Sequence, residues 1–258
     1  LKDGNSIESV LMAHHDHFTV CVSSQVGCAM GCDFCMTAKM GFLRNLSPGE
    51  IVMQIQAAWA DLPDGEKIRN LVFMGMGEPF LNYKNSIAAA DILHHSKGIN
   101  MAAWRITIST AGVVPKIQQF SKEQQPYKLA VSLNGATQNQ RLKTMPITET
   151  HSFSNLIKAS KDYAYNSRNR ITFEYVLMDG INDQPQDAEK LIQILGSIEC
   201  KLNMIPYNEI GEVYSRPSDE KIKAFMKSLK QASFPVTVRW SKGTDIDAGC
   251  GQLVTSST

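Results

Sequence analysis

The chain has 258 residues, of which 43% are hydrophobic and 20% are charged, and 26 basic against 25 acidic side chains give it a net charge of +1. This composition is typical of a globular protein that can bury a large core, and it excludes a strong overall attraction to phosphate. With no run of about 18 apolar residues and no signal-peptide pattern, we expect no membrane span and a cytoplasmic location.

Six short apolar, β-branched segments recur along the chain, and a helix-length amphipathic stretch follows each of them. They are residues 19–23, 70–74, 105–110, 129–133, 171–178 and 201–206. Between the first two, Ser47-Pro48-Gly49-Glu50 is a capping box with proline at the first helical position, which predicts a helix running towards Trp59. The alternation predicts an α/β fold with a parallel sheet, either doubly wound or curled into a full or partial barrel.

No linker or low-complexity segment divides the chain, so we expect one domain over residues 1–258. In both parallel architectures the active site forms at the carboxyl ends of the strands. Polar and glycine-rich motifs follow the predicted strands at that edge, namely residues 75–79, 109–112, 132–134 and 207–208.

Three of the six cysteines lie in the run Cys28-Ala29-Met30-Gly31-Cys32-Asp33-Phe34-Cys35. Three thiolates are one fewer than a structural zinc ion or a [4Fe-4S] cluster normally takes, so the CxxxCxxC spacing predicts a cluster whose open iron can bind a small molecule. Two alternatives stay open. One is a buried helical stripe of cysteines, and the other is a zinc site completed by Cys21, although its separation from Cys28 is longer than in common zinc pairs.

Two further motifs suit a ligand site. In 75–79, two glycines let a ligand approach the backbone and Glu78 offers a carboxylate to an ammonium group, although the same residues also suit a simple turn. Cys250 lies between two glycines, which favours a reactive thiol. By contrast, we interpret residues 14–17, His-His-Asp-His, as a solvated loop and Cys200 as a small buried core residue.

Five segments together resemble the radical S-adenosylmethionine adenine methyltransferases of the RlmN/Cfr type, over nearly the whole chain. They are Cys21-Val22-Ser23-Ser24-Gln25-Val26-Gly27-Cys28, the CxxxCxxC run, Gly41-Phe42-Leu43-Arg44-Asn45-Leu46, residues 74–79, and Asp245-Ile246-Asp247-Ala248-Gly249-Cys250-Gly251-Gln252-Leu253. The CxxxCxxC run alone is typical of the wider radical S-adenosylmethionine superfamily, whereas Cys250 combined with Cys21 is specific to this group. Within it, residues 24–27 and 41–42 are more similar to RlmN than to Cfr.

The resemblance implies a fold and a cofactor site. The fold would be a partial (β/α)6 barrel over residues 17–240, between an N-terminal extension over 1–16 and a C-terminal segment over 241–258 that carries Cys250. One [4Fe-4S] cluster would be held by Cys28, Cys32 and Cys35, and its open iron would bind S-adenosylmethionine. The positions that match the family's S-adenosylmethionine contacts are Gly77, Glu78, Ser109, Ser132, Leu133, Asn134 and Asn208.

The resemblance also implies how a methyl group reaches C2 of adenine, an electron-poor carbon that ordinary methyl transfer does not attack. One S-adenosylmethionine methylates Cys250, and a second yields a 5'-deoxyadenosyl radical that takes a hydrogen from the S-methyl group. The resulting methylene adds to the adenine, and Cys21 helps to release the product by a transient disulfide with Cys250. Glu8 matches the carboxylate that accepts the C2 proton.

The implied substrates are an adenine at the peptidyl-transferase centre of 23S rRNA and adenine 37 of tRNAs, and the expected electron donor is a reducing protein such as flavodoxin or ferredoxin. We expect a monomer. The family's N-terminal accessory domain has no match in this sequence, which predicts weaker RNA binding than that of a full-length member. Trp240 could stack on a base, and seven basic residues could touch phosphate: Arg44, Arg105, Lys116, Arg141, Lys143, Arg239 and Lys242.

Three other functions remain open at the level of the residues. A Cfr-type enzyme would methylate C8 of adenine, and a glycyl-radical activase would use the CxxxCxxC run without needing Cys21 or Cys250. A zinc-stabilised RNA-binding module would have no catalytic activity.

Overall fold

The structure is a computed structural model that describes residues 1–167, 169–211, 213–243 and 246–255. Asp245, which opens the C-terminal sequence motif, lies outside these ranges. The strands are β1 (Val10–Ala13), β2 (Phe18–Cys21), β3 (Gln25–Gly27), β4 (Phe42–Asn45), β5 (Ile68–Phe73), β6 (Ile106–Thr110), β7 (Lys128–Ser132), β8 (Ile171–Leu177), β9 (Cys200–Pro206) and β10 (Val236–Val238).

The helices lie between these strands and after them. They are α1 (Met36–Lys39), α2 (Pro48–Ala60), α3 (Tyr83–His94), α4 (Val114–Lys122), α5 (Gln138–Thr144), α6 (Ile147–Thr150), α7 (Phe153–Asn166), α8 (Pro185–Leu195) and α9 (Asp219–Ser228), with 3-10 turns at Ala103–Arg105 and Leu229–Gln231. Within the described ranges, no helix is long and apolar enough to cross a membrane.

The main sheet has eight strands in the order β1-β2-β5-β6-β7-β8-β9-β10. Every neighbouring pair from β2 to β10 is parallel, and only β1 pairs antiparallel with β2. The six predicted strands are confirmed as β2 and β5 to β9. Strands β1 and β10 extend the sheet at its two edges.

The sheet curls, so that its two edge regions approach each other. Arg239, just after β10, reaches Met12 of β1 with an Nη2–Sδ distance of 3.5 Å, and Lys242 donates to the carbonyl of Ala13. One cavity on the concave face of the sheet is lined by side chains from β1, β2, β5, β6 and β7 and from the segment after β10. The prediction of a partial barrel is therefore confirmed, and the doubly wound alternative is wrong.

The hydrophobic core lies between the outer face of this sheet and the helices. All seven residues of β8 are buried, as expected for a parallel strand that is covered on both faces. Helix α2 begins as predicted, because the Ser47 hydroxyl accepts from the Glu50 N–H while the Glu50 carboxylate accepts from the Ser47 N–H at 2.9 Å. Because neighbouring strands from β2 to β10 are parallel, their carboxyl ends lie at one edge of the sheet.

The cysteine run follows β2, with one short strand between them. It lies between β3 and β4, which form a separate antiparallel pair that the sequence did not predict. Gly27 in β3 has a φ of +72°, and a Cβ there would lie 1.8 Å from the Gly41 carbonyl oxygen, so only glycine fits this junction. Strands of three and four residues are too short to show a periodic pattern.

Candidate active site

One cavity lies at the carboxyl ends of the central strands, and the cysteine run forms part of its wall. Its empty volume is about 770 Å³ including the open mouth, which is the size of a pocket for a cofactor-sized ligand. We call it the cofactor cavity. Nine of the predicted site residues line it: Cys28, Cys32, Cys35, Gly77, Glu78, Ser109, Ser132, Asn134 and Cys250.

Backbone hydrogen bonds hold the cysteine run, so the thiols are not needed to shape it. The Cys28 N–H donates to the Gly41 carbonyl at 2.9 Å, and the Asp33 N–H donates to the Thr144 carbonyl at 3.1 Å. Gly31 has a φ of +65°, which turns the chain between the first two cysteines. All three thiols are free.

The three thiols suit an iron–sulfur cluster better than a single ion. Among the described residues, no three His, Cys, Asp or Glu side chains converge closely enough to hold one metal ion, and a structural zinc ion requires every sulfur within about 2.3 Å of it. In a [4Fe-4S] cluster each thiolate binds a different iron, so its thiolates lie further apart. Burial raises the pKa of Cys28 to about 12, so a metal that binds this thiol must displace its proton.

Glu78 is buried in the wall of this cavity with both carboxylate oxygens bound by the backbone. The Phe80 N–H donates to Oε1 at 2.9 Å and the Ala111 N–H donates to Oε2 at 2.6 Å. Burial nevertheless raises the pKa of Glu78 to about 7. Gly77 beside it has a φ of +93°, and a Cβ there would lie 2.4 Å from the Cβ of Gln25, so the close approach of these segments requires glycine.

Arg141 of α5 fixes the ends of β6 and β7, where the serines of the cavity lie. Its guanidinium donates to the carbonyls of Ser132 at 2.6 Å and Leu133 at 2.9 Å, and to the carbonyl of Ala111. The side chain is only 1% exposed, so the predicted phosphate contact is wrong for Arg141. Nothing in the sequence indicated this role, because an arginine is ordinarily exposed; here the neighbouring Leu142 is 37% exposed instead.

Asn134 lines the cavity in a conformation that few residue types adopt. Its φ is +51°, in the left-handed region where asparagine is enriched. Its Oδ1 accepts from the Val176 N–H at 2.8 Å, which ties the end of β7 to β8. Leu133, also predicted as a contact, is fully buried and does not line the cavity.

Asn208 contacts the Cys250 loop and is not part of the cavity wall. Its Nδ2 donates to the Cys250 carbonyl at 2.9 Å, and a Cβ on Gly249 would lie 2.8 Å from the same nitrogen. Gly251 is equally confined, because its φ is +87° and a Cβ there would lie 2.9 Å from the Phe34 carbonyl oxygen. The two glycines therefore allow the thiol loop to pack against Asn208 and the cysteine run.

A second cavity adjoins the cofactor cavity, and Cys21 and Cys250 both line it. We call it the thiol cavity. Met74 and Cys250 line both cavities, so they form the wall between them. Burial raises the pKa of Cys21 to about 12. Cys250 is exposed as a residue, and desolvation of its sulfur in the cavity wall raises its pKa to about 11, while Arg239 opposes both shifts. Both thiols are free in this structure.

Glu174 is a site residue that sequence reasoning missed. It lies on the concave face of β8, lines the cofactor cavity, and accepts a hydrogen bond from Asn203 at 2.8 Å. Burial raises its pKa, and Arg239 opposes the shift. A single carboxylate in the otherwise apolar segment 171–178 was the available signal, because buried charges are rare without a partner or a function.

Glu8 lines neither cavity, although the sequence places it in the catalytic set. It lies just before β1, and its carboxylate accepts from the Val254 N–H at 2.7 Å. The Ser23 hydroxyl donates to the Glu8 carbonyl at 2.5 Å. Glu8 thus ties the N-terminal extension to the segment that carries Cys250.

Sequence comparison with known proteins agrees with this geometry. The Radical SAM superfamily model matches residues 22–192. The dual-specificity RNA methyltransferase RlmN of Desulfosudis oleivorans is 46% identical over 255 residues, which cover 98% of this chain and 68% of that protein. The protein of the same name from Syntrophobacter fumaroxidans is 44% identical, over 98% of this chain and 74% of its own length.

A solved structure shows the same fold. The radical SAM methyltransferase from Sphaerobacter thermophilus superposes with a TM-score of 0.94 at 45% sequence identity, over 97% of this chain and 74% of that one. This chain is therefore shorter than the relatives that it matches.

Proposed function

This chain belongs to the radical SAM superfamily and, within it, to the RlmN dual-specificity RNA methyltransferases, and we propose that it methylates C2 of an adenine in 23S rRNA and in tRNAs. The observation that carries the proposal is the position of Cys250. Its thiol borders both the cofactor cavity and the thiol cavity, so one side chain can receive a methyl group in the first and present it in the second.

The cofactor cavity fits S-adenosylmethionine beside a cluster on Cys28, Cys32 and Cys35, and together these groups would supply a methyl group and hydrogen-abstracting radical chemistry. Glu78 would bind the amino group of the methionine moiety, because its buried carboxylate gains most from a positive partner. Gly77 leaves room for that approach, and the Ser109 and Ser132 hydroxyls and the Asn134 amide offer polar contacts to the rest of the molecule.

Cys250 would carry the methyl carbon, and Cys21 would release it from Cys250. The Cys250 sulfur takes up the methyl group and carries it as a thioether that becomes bonded to the adenine. Cys21 then attacks the Cys250 sulfur, the bond from that sulfur to the carbon breaks, and the carbon leaves with the electron pair and takes up a proton. The two thiols are left as a transient disulfide, which an external thiol reduces. Their shared cavity supports this pairing, since both side chains border the same space.

We propose Glu8 as the acceptor of the adenine C2 proton. Its tie to Val254 places it beside the segment that carries Cys250. We further propose that the enzyme is a cytoplasmic monomer, because its RNA substrates are there, and that a reducing protein such as flavodoxin or ferredoxin donates the electron. The outer face of the cysteine run, at Gly31, Asp33 and Lys39, offers that donor an open approach.

The test is methyl transfer by the anaerobically reconstituted protein. Wild type, Cys250→Ala and the control Cys200→Ala are incubated with 23S rRNA, reductant and labelled S-adenosylmethionine, and nuclease digests are analysed for methyladenines. Cys200 is a suitable control because it is buried at the start of β9, away from both cavities.

We expect 2-methyladenine from wild type and Cys200→Ala, and none from Cys250→Ala. Full methylation by Cys250→Ala would exclude the proposed methyl carrier. 8-Methyladenine in place of 2-methyladenine would assign the enzyme to the Cfr type, and a colourless protein that binds zinc would reject the cluster.

A further inference from the structure

A third cavity occupies the concave face of the sheet near the amino ends of its strands, with an empty volume of about 830 Å³. We call it the basic cleft, because four of its lining side chains are Arg105, Lys128, Arg239 and Lys242. The whole chain carries a net charge of only +1. The cleft is therefore a local basic surface on a chain that is nearly neutral overall.

These four cations lack acidic partners in the part of the chain that is described, since none of them occurs in an ion pair there. The pKa of Lys128 is lowered by burial and by repulsion from Lys201 and Arg105. Of the nearby acids, Asp16 pairs with Arg69 and His17, while Glu174 accepts from Asn203 and lies close enough to Arg239 for that cation to lower its pKa. The positive charge of the cleft is thus only partly compensated.

Two exposed tryptophans border the same cleft. Trp104 is 54% exposed and Trp240 is 51% exposed, which is unusual for the largest apolar side chain. The Arg105 guanidinium lies 4.2 Å from the Trp104 ring centre, and the Lys128 ammonium lies 5.5 Å from it. Aromatic faces beside cations are the two components that single-stranded nucleic acid requires, one for its bases and one for its phosphates.

The basic cleft adjoins the thiol cavity, which is the proposed site of methyl transfer. Met12, Arg239 and Lys242 line both the basic cleft and the thiol cavity. Cys250 then borders the thiol cavity and the cofactor cavity. These three side chains form the wall between the cleft and the cavity that Cys250 lines, so an RNA strand in the cleft would lie beside that cavity.

The other basic residues that the sequence suggested do not belong to this cleft. Arg44 is paired with Asp3 and Glu50, and Lys116 donates to Gln119 at 2.7 Å. Arg141 is buried, and Lys143 does not line the cleft. Three of the seven predicted basic residues therefore line the cleft, namely Arg105, Arg239 and Lys242. Lys128, which the sequence did not suggest, lines it as well.

We propose that the basic cleft is the surface on which the RNA substrate docks, with phosphates on Arg105, Lys128, Arg239 and Lys242 and unstacked bases on Trp104 and Trp240. The proposal rests on the proposed function, because it assumes an RNA whose adenine reaches Cys250. An acidic electron-donor protein is the other partner that a basic surface could attract. RNA is favoured because the cleft shares three lining residues with the thiol cavity that Cys250 borders and none with the pocket on the outer face of the cysteine run.

The experiment compares RNA binding by the reconstituted wild type, Arg105→Ala/Lys128→Ala, Trp240→Ala and the control Lys158→Ala/Lys161→Ala, whose two lysines are exposed on α7. Dissociation constants for a 23S rRNA fragment and for a tRNA are measured at several salt concentrations. We expect the Arg105/Lys128 variant to bind RNA at least tenfold more weakly. The slope of its log affinity against log salt concentration should be smaller in magnitude by about 1 to 2, because two phosphate contacts are lost. Trp240→Ala should bind about tenfold more weakly with an unchanged slope, and the control should stay within twofold.

Thermal midpoints and S-adenosylmethionine affinities show whether each variant is folded. If a variant does not fold, the docking surface is mapped on the wild type by acetylating its lysines with and without RNA. RNA should then protect Lys128 and Lys242 but not Lys158. RNA binding and lysine protection equal to those of the control would overturn the proposal. Variants that bind RNA normally but are no longer reduced by flavodoxin would overturn it as well. If the wild type docks RNA through the cleft but transfers no methyl group, the proposed function fails and the docking surface stands.

Discussion

Glu78 is a single residue whose ionisation should control cofactor affinity. Burial raises its pKa to about 7, so the free enzyme holds a proton there at lower pH, whereas a bound amino cation requires the carboxylate. Binding S-adenosylmethionine below pH 7 must therefore release that proton. We expect the affinity of the reconstituted enzyme to fall about tenfold between pH 8 and pH 6, as measured by equilibrium dialysis.

Two variants check the assignment of this pH dependence. Glu78→Gln has no ionisable group at the site, so its affinity should be weaker than that of wild type at pH 8 and constant between pH 6 and 8. Glu123→Gln removes a carboxylate whose pKa is lowered by Tyr83, and it should keep the wild-type profile. A Glu78→Gln protein that still loses affinity on acidification would show that another group titrates.

At the scale of elements, Arg141 links the ends of β6 and β7 through three carbonyl groups. Arg141→Met would fill most of the volume but leave those buried oxygens without their donor. We expect a loss of about 3 kcal/mol or more in the free energy of unfolding, with weaker S-adenosylmethionine binding, because hydrogen bonds to a charged group contribute about 1.5–3 kcal/mol each and do not add fully.

Urea unfolding measures this loss, and Arg170→Met provides the comparison. Arg170 is half-exposed and pairs with Glu199, so its removal should cost about 1 kcal/mol or less. Arg141→Lys should fall between wild type and Arg141→Met, since one ammonium cannot reach all three carbonyls. Equal stability of Arg141→Met and Arg170→Met would show that the hydrogen bonds from Arg141 to the three carbonyl groups are not needed for stability.

The elements of this fold differ in how far the sequence predicts them. Strands such as β8 are predictable because a buried parallel strand is a run of apolar residues, and α2 is predictable because its cap is local. The β3–β4 pair and the inward position of Arg141 are not, because both depend on contacts between distant segments. The approach of Cys21 to Cys250 is likewise invisible in spacing, and only the resemblance suggested it.

At the scale of the whole molecule, Glu8 connects the beginning of the chain with its C-terminal segment through the Val254 N–H. Glu8→Gln keeps an acceptor for that N–H but has no basicity, whereas Glu8→Ala removes both. We expect Glu8→Ala to raise the rate of Cys250 alkylation by iodoacetamide severalfold, because the segment loses its tie, and Glu8→Gln to leave the rate unchanged. Peptide mass spectrometry of the reconstituted enzyme measures both rates.

The same two variants test Glu8 as the proton acceptor. If it accepts the C2 proton, neither variant should form 2-methyladenine, although only one has a loosened segment. Methylation by Glu8→Gln at the wild-type rate would leave Glu8 a purely structural tie. Glu149→Ala, an exposed carboxylate on α6, should match wild type in both assays.

The shared wall at Cys250 has a consequence for the order of synthesis. The cysteine run and Glu78 come from the first third of the chain, whereas Cys250 emerges from the ribosome more than 150 residues after Glu78. A nascent or prematurely terminated chain can therefore present every cluster ligand before any methyl carrier exists. The wall between the cofactor cavity and the thiol cavity is therefore completed only when the last part of the chain has been synthesised.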